Sequence, residues 1–139
     1  MLPLVKRLVS NDDLRNELEA LAAQSQLEAG IVVSAVGSLM QARLRLAGAD
    51  VIKTIQGPLE IVSATGTISK HGMHVHVSVS DESGVTTGGH LVSGCMVHTT
   101  VELVILPIEG WKFDRHEDAS TKYKELKAER LDKQKAPHL

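Results

Sequence analysis

The spacing of apolar positions changes along the chain, and each change predicts an element. Ser10-Asn11-Asp12-Asp13 offers a capping side chain with acids in the first turn, and Leu14, Leu18 and Leu21 follow at helical spacing. This predicts a helix over residues 12–28, closed by Gly30. Ile31-Val32-Val33-Ser34-Ala35-Val36 is a short apolar run ending at Gly37, the pattern of a strand buried on both faces. Residues 42–47 alternate, with Arg43 and Arg45 on one face and Leu44 and Leu46 on the other, so a half-exposed strand is expected. Further strands are predicted over 51–55, 59–68, 73–80, 85–92 and 97–106, separated mostly by Gly, Asp or Pro. Their connections are too short for helical crossovers, which predicts a mainly antiparallel sheet. The expected fold class is α+β, with that sheet packed by one N-terminal helix and short helical segments. One domain is expected over residues 1–127, followed by a flexible charged tail over 128–139. Residues 120–139, rich in Lys and Glu, suit a frayed helix or a disordered end that Pro137 stops.

The predicted strand at 73–80 carries the most informative chemistry. Side chains alternate along a strand, so His74, His76, Ser78 and Ser80 share one face while Met73, Val75, Val77 and Val79 share the other. The valine face supplies the core, and two imidazoles two residues apart are left to converge on one ion. Turn residues at 81–85 predict a hairpin into the strand that ends at His90. A loop spanning 81–85 pairs Ser80 with Thr86 and, four steps back, His76 with His90 on the same face. A loop one residue shorter would put His90 opposite Val75 on the wrong face, so a shared site needs an odd loop, or a bulge at Gly88-Gly89. Three neutral imidazoles with an open position suit catalytic zinc, and other imidazole-liking divalent metals fit the same donors. The competing reading is that the histidines lie on a surface or a subunit interface and bind nothing.

Glu102 lies inside the apolar run Val101 to Ile105, where a carboxylate must be paired or face a polar site. It is a candidate to orient a ligand imidazole or act as a general base; the alternative is an ion pair with Arg43 or Arg45 on a neighbouring strand. His71, His98, His116 and His138 are expected to be structural or exposed.

Composition narrows the function classes. A formal net charge of -2 provides no global field for phosphate backbones, and residues 1–111 hold 7 basic against 11 acidic side chains. Only three aromatics occur (Trp111, Phe113, Tyr123), which argues against single-strand binding by base stacking. All three follow the histidine motif, where the edge of a pocket or subunit contact is expected. The lone Cys95 excludes an internal disulfide framework and is expected as a small core residue. No stretch reaches ~18 apolar residues, and Lys6 and Arg7 interrupt the apolar N-terminus, so no membrane span or leader is expected and the reading is a cytoplasmic protein.

The run His74-Val-His76-Val-Ser-Val-Ser-Asp81, with Gly84, Gly88-Gly89-His90-Leu91, Gly94-Cys95 and Thr99-Thr100-Val101-Glu102, resembles the PPC domain. This domain, shared by plants and prokaryotes, accompanies AT-hooks in plant nuclear proteins and stands alone in bacteria and archaea. Val36-Gly37-Ser38, Gly57-Pro58-Leu59-Glu60-Ile61, Gly66-Thr67-Ile68 and Phe113-Asp114-Arg115 extend the likeness over residues 4–126. The resemblance implies an α+β homotrimer in which histidines matching His74, His76 and His90 hold a zinc ion in prokaryotic members. It also implies a closing strand near Tyr123–Leu126, where local propensity favours helix. No Arg-Gly-Arg-Pro hook is present, so the minor-groove contact of plant members does not carry over.

Three functions follow as expectations. The first is a trimeric regulatory module, with DNA as a candidate partner. The second is a zinc-dependent small-molecule enzyme in which bound water attacks and Glu102 takes its proton. The third is a metal-free trimer with histidines packed about its axis.

Overall fold

The structure is a computed structural model that describes residues 1–131; the rest of the expected tail, with Pro137 and His138, lies outside the described residues. The elements are β1 (Leu4–Val9), α1 (Leu14–Gln24), β2 (Gly30–Arg45), β3 (Ile52–Ser69), β4 (Gly72–Ser80), β5 (Thr86–Leu91), β6 (Met96–Pro107), β7 (Trp111–Glu117) and β8 (Lys124–Arg130). The expected α+β class is corrected to a β-rich single domain: among the described residues α1 is the sole helix and no short helical segments accompany it. The physical reason is continuity. Runs read as separate strands on either side of Gly37 fuse into β2, and those on either side of Gly57-Pro58 fuse into β3. The hairpin turns between strands leave no chain for further helices.

Asp13 caps α1 by accepting from the backbone N–H of Arg15 (3.0 Å) and Asn16 (3.2 Å). The helix stops four residues short of the expected end. Gln26 adopts a left-handed conformation, and the N–H groups of Gln26 and Leu27 donate back to Ala23 and Ala22, a Schellman closure that buries Leu27. Gly30 therefore opens β2 instead of ending the helix.

Six strands run in the order β1-β6-β2-β3-β4-β5, all neighbours antiparallel. The far end of β2 also pairs with β5, through Leu44 with Leu91 and Arg45 with His90, so β2, β3, β4 and β5 close on themselves at one end. Gly89 permits this approach, since a Cβ there would stand 2.7 Å from the Arg45 carbonyl oxygen. The core gathers Leu39, Leu44, Val75, Val77, Val79, Leu103 and Ile105 from the sheet with Leu14, Leu18 and Ala22 from α1. The start of β2 is not buried on both faces as expected: Val33 and Val36 are about half exposed, on the outward face. Cys95 is fully buried as expected, its Sγ 3.3 Å from both the N and O of Arg43.

β1 and β7 were not among the expected strands. β8 crosses the boundary expected at residue 127. Its sequence, KELKAER, favours helix locally, but seven cross-strand pairs from Trp111–Arg130 to Glu117–Lys124 hold it extended against β7. This hairpin docks on the body: the Phe113 N–H donates to Glu28 O (2.8 Å), and Ser69 Oγ donates to Phe113 O (2.8 Å). Among the described residues no helix is long and apolar enough to cross a membrane.

Candidate metal centre

The hairpin register places the three histidines together as the loop arithmetic predicts. Ser80 pairs with Thr86 and His76 with His90, with no bulge between them. Asp81 Oδ1 holds the turn by accepting from the N–H of Ser83 (2.9 Å) and Val85 (3.0 Å). Along β4, Met73, Val75, Val77 and Val79 are buried while His74 and His76 point outward. Gly66, opposite Val75 on β3, allows the tight β3–β4 approach, because a Cβ there would lie 2.1 Å from the His74 carbonyl oxygen.

The imidazoles of His74, His76 and His90 offer one nitrogen each within 4.8 Å of one another. His74 Nε2 and His76 Nε2 are 3.0 Å apart, and the ring centroids of His74 and His90 lie 5.1 Å apart. Tetrahedral zinc with bonds of ~2.0–2.1 Å needs nitrogens about 3.3 Å apart, a spread that small ring rotations reach from here. Two observations fit a cation. His90 Nδ1 is buried with no hydrogen-bond partner, an orphan that a metal bond would satisfy. Burial, helped by the Arg45 charge, pushes the His90 pKa down to about 4, and burial also lowers that of His74, so both rings keep a lone pair free at neutral pH. The three residues thus fit a divalent transition metal, and zinc suits an all-imidazole set.

Beside the trio lies a cavity of about 420 Å³. Arg45 reaches it from β2, Arg115 from β7, and Tyr123, Lys124 and Glu125 from the β7–β8 hairpin. The Arg45 guanidinium sits 5.7 Å from the centre of the Tyr123 ring. Tyr123 thus meets the expectation of a pocket edge among the aromatics, whereas Trp111 lines a different cavity.

Glu102 is placed elsewhere. It lies exposed on β6 in register with Arg7 and Val36, with β2 and β3 between its strand and β4, and it does not line the cavity. Among the described residues it forms no ion pair, and Arg43 instead donates to Ser93 O (3.1 Å). The carboxylate beside the trio is Glu125, which sequence reasoning missed together with Arg45 and Arg115. The available signal was Phe113-Asp114-Arg115, singled out only as part of a family likeness. His71 meets Glu28 (3.2 Å), His98 is exposed, and His116 approaches Asp114 (3.5 Å).

Comparison with known proteins gives the following. The Plants and Prokaryotes Conserved (PCC) domain profile matches residues 1–109. The chain is 43% identical over 125 residues to the bifunctional protein GlmU of Synechococcus sp. (strain JA-3-3Ab), covering 90% of this chain and 20% of that protein. It therefore spans about one fifth of the length of this curated relative. Among solved structures, a hypothetical protein from Salmonella cholerae-suis is 36% identical with TM-score 0.88, covering 93% of this chain and 94% of its own. A metal-containing protein from Archaeoglobus fulgidus is 27% identical with TM-score 0.77, covering 91% and 93%. A Ralstonia eutropha structure with a provisional DNA-binding description is 24% identical with TM-score 0.74, covering 88% and 89%, a likeness of fold alone.

Proposed function

The chain belongs to the Plants and Prokaryotes Conserved domain family, and from that premise we propose that it is a regulatory module, working as a homotrimer, that holds a zinc ion on His74, His76 and His90. The observation that carries the reading is the convergence of three imidazoles around the orphaned His90 Nδ1, open on one side to a cavity. The likeness to a metal-containing protein of Archaeoglobus supports a bound metal here. In the Synechococcus relative a stretch like this one makes up a fifth of a bifunctional protein, which supports reading it as a module. When bound, zinc supplies a Lewis-acidic centre that takes a further ligand; the chain's own part is to fix the imidazoles on a rigid strand pair.

Self-association is supported by the outward face of the sheet. Val5, Val33, Val36 and Leu106, on β1, β2 and β6, are 73%, 53%, 52% and 42% exposed, an aliphatic face that water covers poorly. Glu102 and its cross-strand neighbour Arg7 belong to that face, which gives the carboxylate an assembly role. DNA contact enters as one form of regulation, with limited electrostatic support. The charged β7–β8 hairpin mixes signs, pairing Lys112 with Asp114 and Lys127 with Glu129, so no continuous basic stripe faces outward.

Elemental analysis of the native protein tests the reading, with one metal expected per chain. Chelation is expected to change either the sedimentation coefficient or the binding of a random DNA duplex at low salt. Absence of stoichiometric metal would sink the metal assignment. A second reading, metal-assisted chemistry on a small molecule, is favoured by the cavity that Tyr123 and Glu125 line beside the trio. It predicts that Glu125→Gln, and not Glu102→Gln, removes turnover while metal content stays intact.

A further inference from the structure

The cavity beside the trio has a charge pattern that holding a metal does not explain. Arg15, Arg45, Arg115 and Lys124 line it against a single carboxylate, Glu125. Arg15 is already committed, to Glu19 at 2.8 Å. Among the described residues Arg45, Arg115 and Lys124 form no ion pair with any carboxylate. Glu125 in turn accepts a hydrogen bond from Thr121 Oγ1 at 3.0 Å.

The two guanidiniums are held in place and not left to wander. Arg45 is the register partner of His90 and stacks beside the Tyr123 ring. Arg115 donates from Nη2 to Thr67 Oγ1 at 2.7 Å, and Thr67 is the register partner of His74. Gly72 leaves room for its stem, since a Cβ there would stand 3.2 Å from Arg115 Cγ. Two guanidiniums thus lie beside the histidines, Arg45 in register with His90 and Arg115 bonded to the register partner of His74. Like charges gathered in a concave site repel one another unless an anion answers them, and a guanidinium fork matches carboxylate or phosphate oxygens in pairs. The volume of about 420 Å³ suits a small molecule, within the ~300–1,000 Å³ of ordinary ligand sites.

We propose that this cavity binds a small oxyanion, with a carboxylate or phosphate group engaging Arg45 and Arg115 and a second charged group, where the ligand has one, directed at the ion on the histidine trio. The second contact rests on the metal reading above; the first rests on the arginines alone. Such a ligand makes the module a sensor of a compact dicarboxylate or phosphorylated metabolite.

Calorimetric titration of the full chain, zinc-loaded and chelator-stripped, tests this with succinate and inorganic phosphate as probes and succinamide as the uncharged control. Heat is expected from succinate or phosphate and none from succinamide, and the stronger of the two names the charged group preferred. Arg115→Gln and Arg45→Gln are each expected to weaken binding about tenfold or more while zinc content stays at the wild-type level. Arg45→Gln leaves the Thr67 bond intact, so it serves if Arg115→Gln fails to fold. Lys53→Gln, at an exposed strand position outside the cavity, is expected to bind as wild type does. Zinc uptake without heat from either anion, binding of succinamide equal to that of succinate, or unchanged affinity in both arginine variants overturns the anion site and leaves the metal reading standing. Succinate or phosphate binding that the arginine variants weaken, in protein that takes up no zinc, sinks the metal reading and upholds the anion site.

Discussion

Replacing Gly89 with alanine tests how the fold couples to the proposed metal centre. The residue's φ lies outside the left-handed region, so alanine meets no backbone strain and its effect is steric. The added methyl would stand 2.7 Å from the Arg45 carbonyl oxygen and 3.2 Å from Leu44 Cβ, closer than carbon tolerates. β5 must retreat from β2 by at least about half an ångström, which loosens the Leu44–Leu91 and Arg45–His90 pairs. Overpacking of this kind costs about 1–3 kcal/mol, or about 3–10 °C in the midpoint for a chain of this size. The retreat carries His90 with it, so on the proposed metal reading zinc affinity is expected to fall as well. Thermal unfolding and competition against a chromophoric chelator read the two effects separately, with Gly88→Ala as comparison, whose methyl faces Val77 O at 3.1 Å on the other strand pair. A wild-type midpoint in Gly89→Ala refutes the steric argument. A lowered midpoint with unchanged zinc affinity refutes the coupling of strand closure to the site.

Three further outcomes are expected. Asp13→Ala removes the helix cap and also the acceptor for the Gly94 N–H at 2.6 Å, and should lower stability by about 2 kcal/mol in urea titration. Cys95 should resist alkylation in the folded protein and react once unfolded. Burial pushes its thiol up to about 11, above the ordinary value of 9.0, so the fold favours the protonated form; stability should fall as pH climbs from 9.0 toward 11, and the denaturation midpoint of Cys95→Ala should lack that slope. Val36→Lys puts a charge on the outward aliphatic face and, on the proposed trimeric reading, should lower the sedimentation coefficient from that of a trimer to that of a monomer; an unchanged coefficient refutes this face as the proposed subunit contact.

The legible part of this site lay within one hairpin. Strand parity assigned His74 and His76 to a single face, and the loop at 81–85 set the register that delivers His90, both local consequences of alternation and turn length. Arg45 comes from a strand far upstream of the trio and Arg115 and Glu125 from a hairpin downstream of it, joined to the trio by the β2–β5 closure and the docking of β7–β8. No local pattern encodes such juxtapositions. The same limit applies to β8, whose Lys and Glu content reads as helix until β7 supplies its partners. Glu102 misled for a related reason. A carboxylate in an apolar run suggests a buried site only if the strand is covered on both faces, and here one face of β6 looks outward.

The β7–β8 hairpin begins just past the stretch that the family profile matches, residues 1–109, yet it brings Arg115, Tyr123 and Glu125 to the histidines. On the proposed reading the ion's ligands lie within residues 74–90, while the groups that meet a ligand are divided between Arg45 of the body and Arg115, Tyr123 and Glu125 of the hairpin. A library confined to residues 112–126 is therefore expected to retune the hairpin's share of ligand preference while Arg45 and the three histidines stay constant.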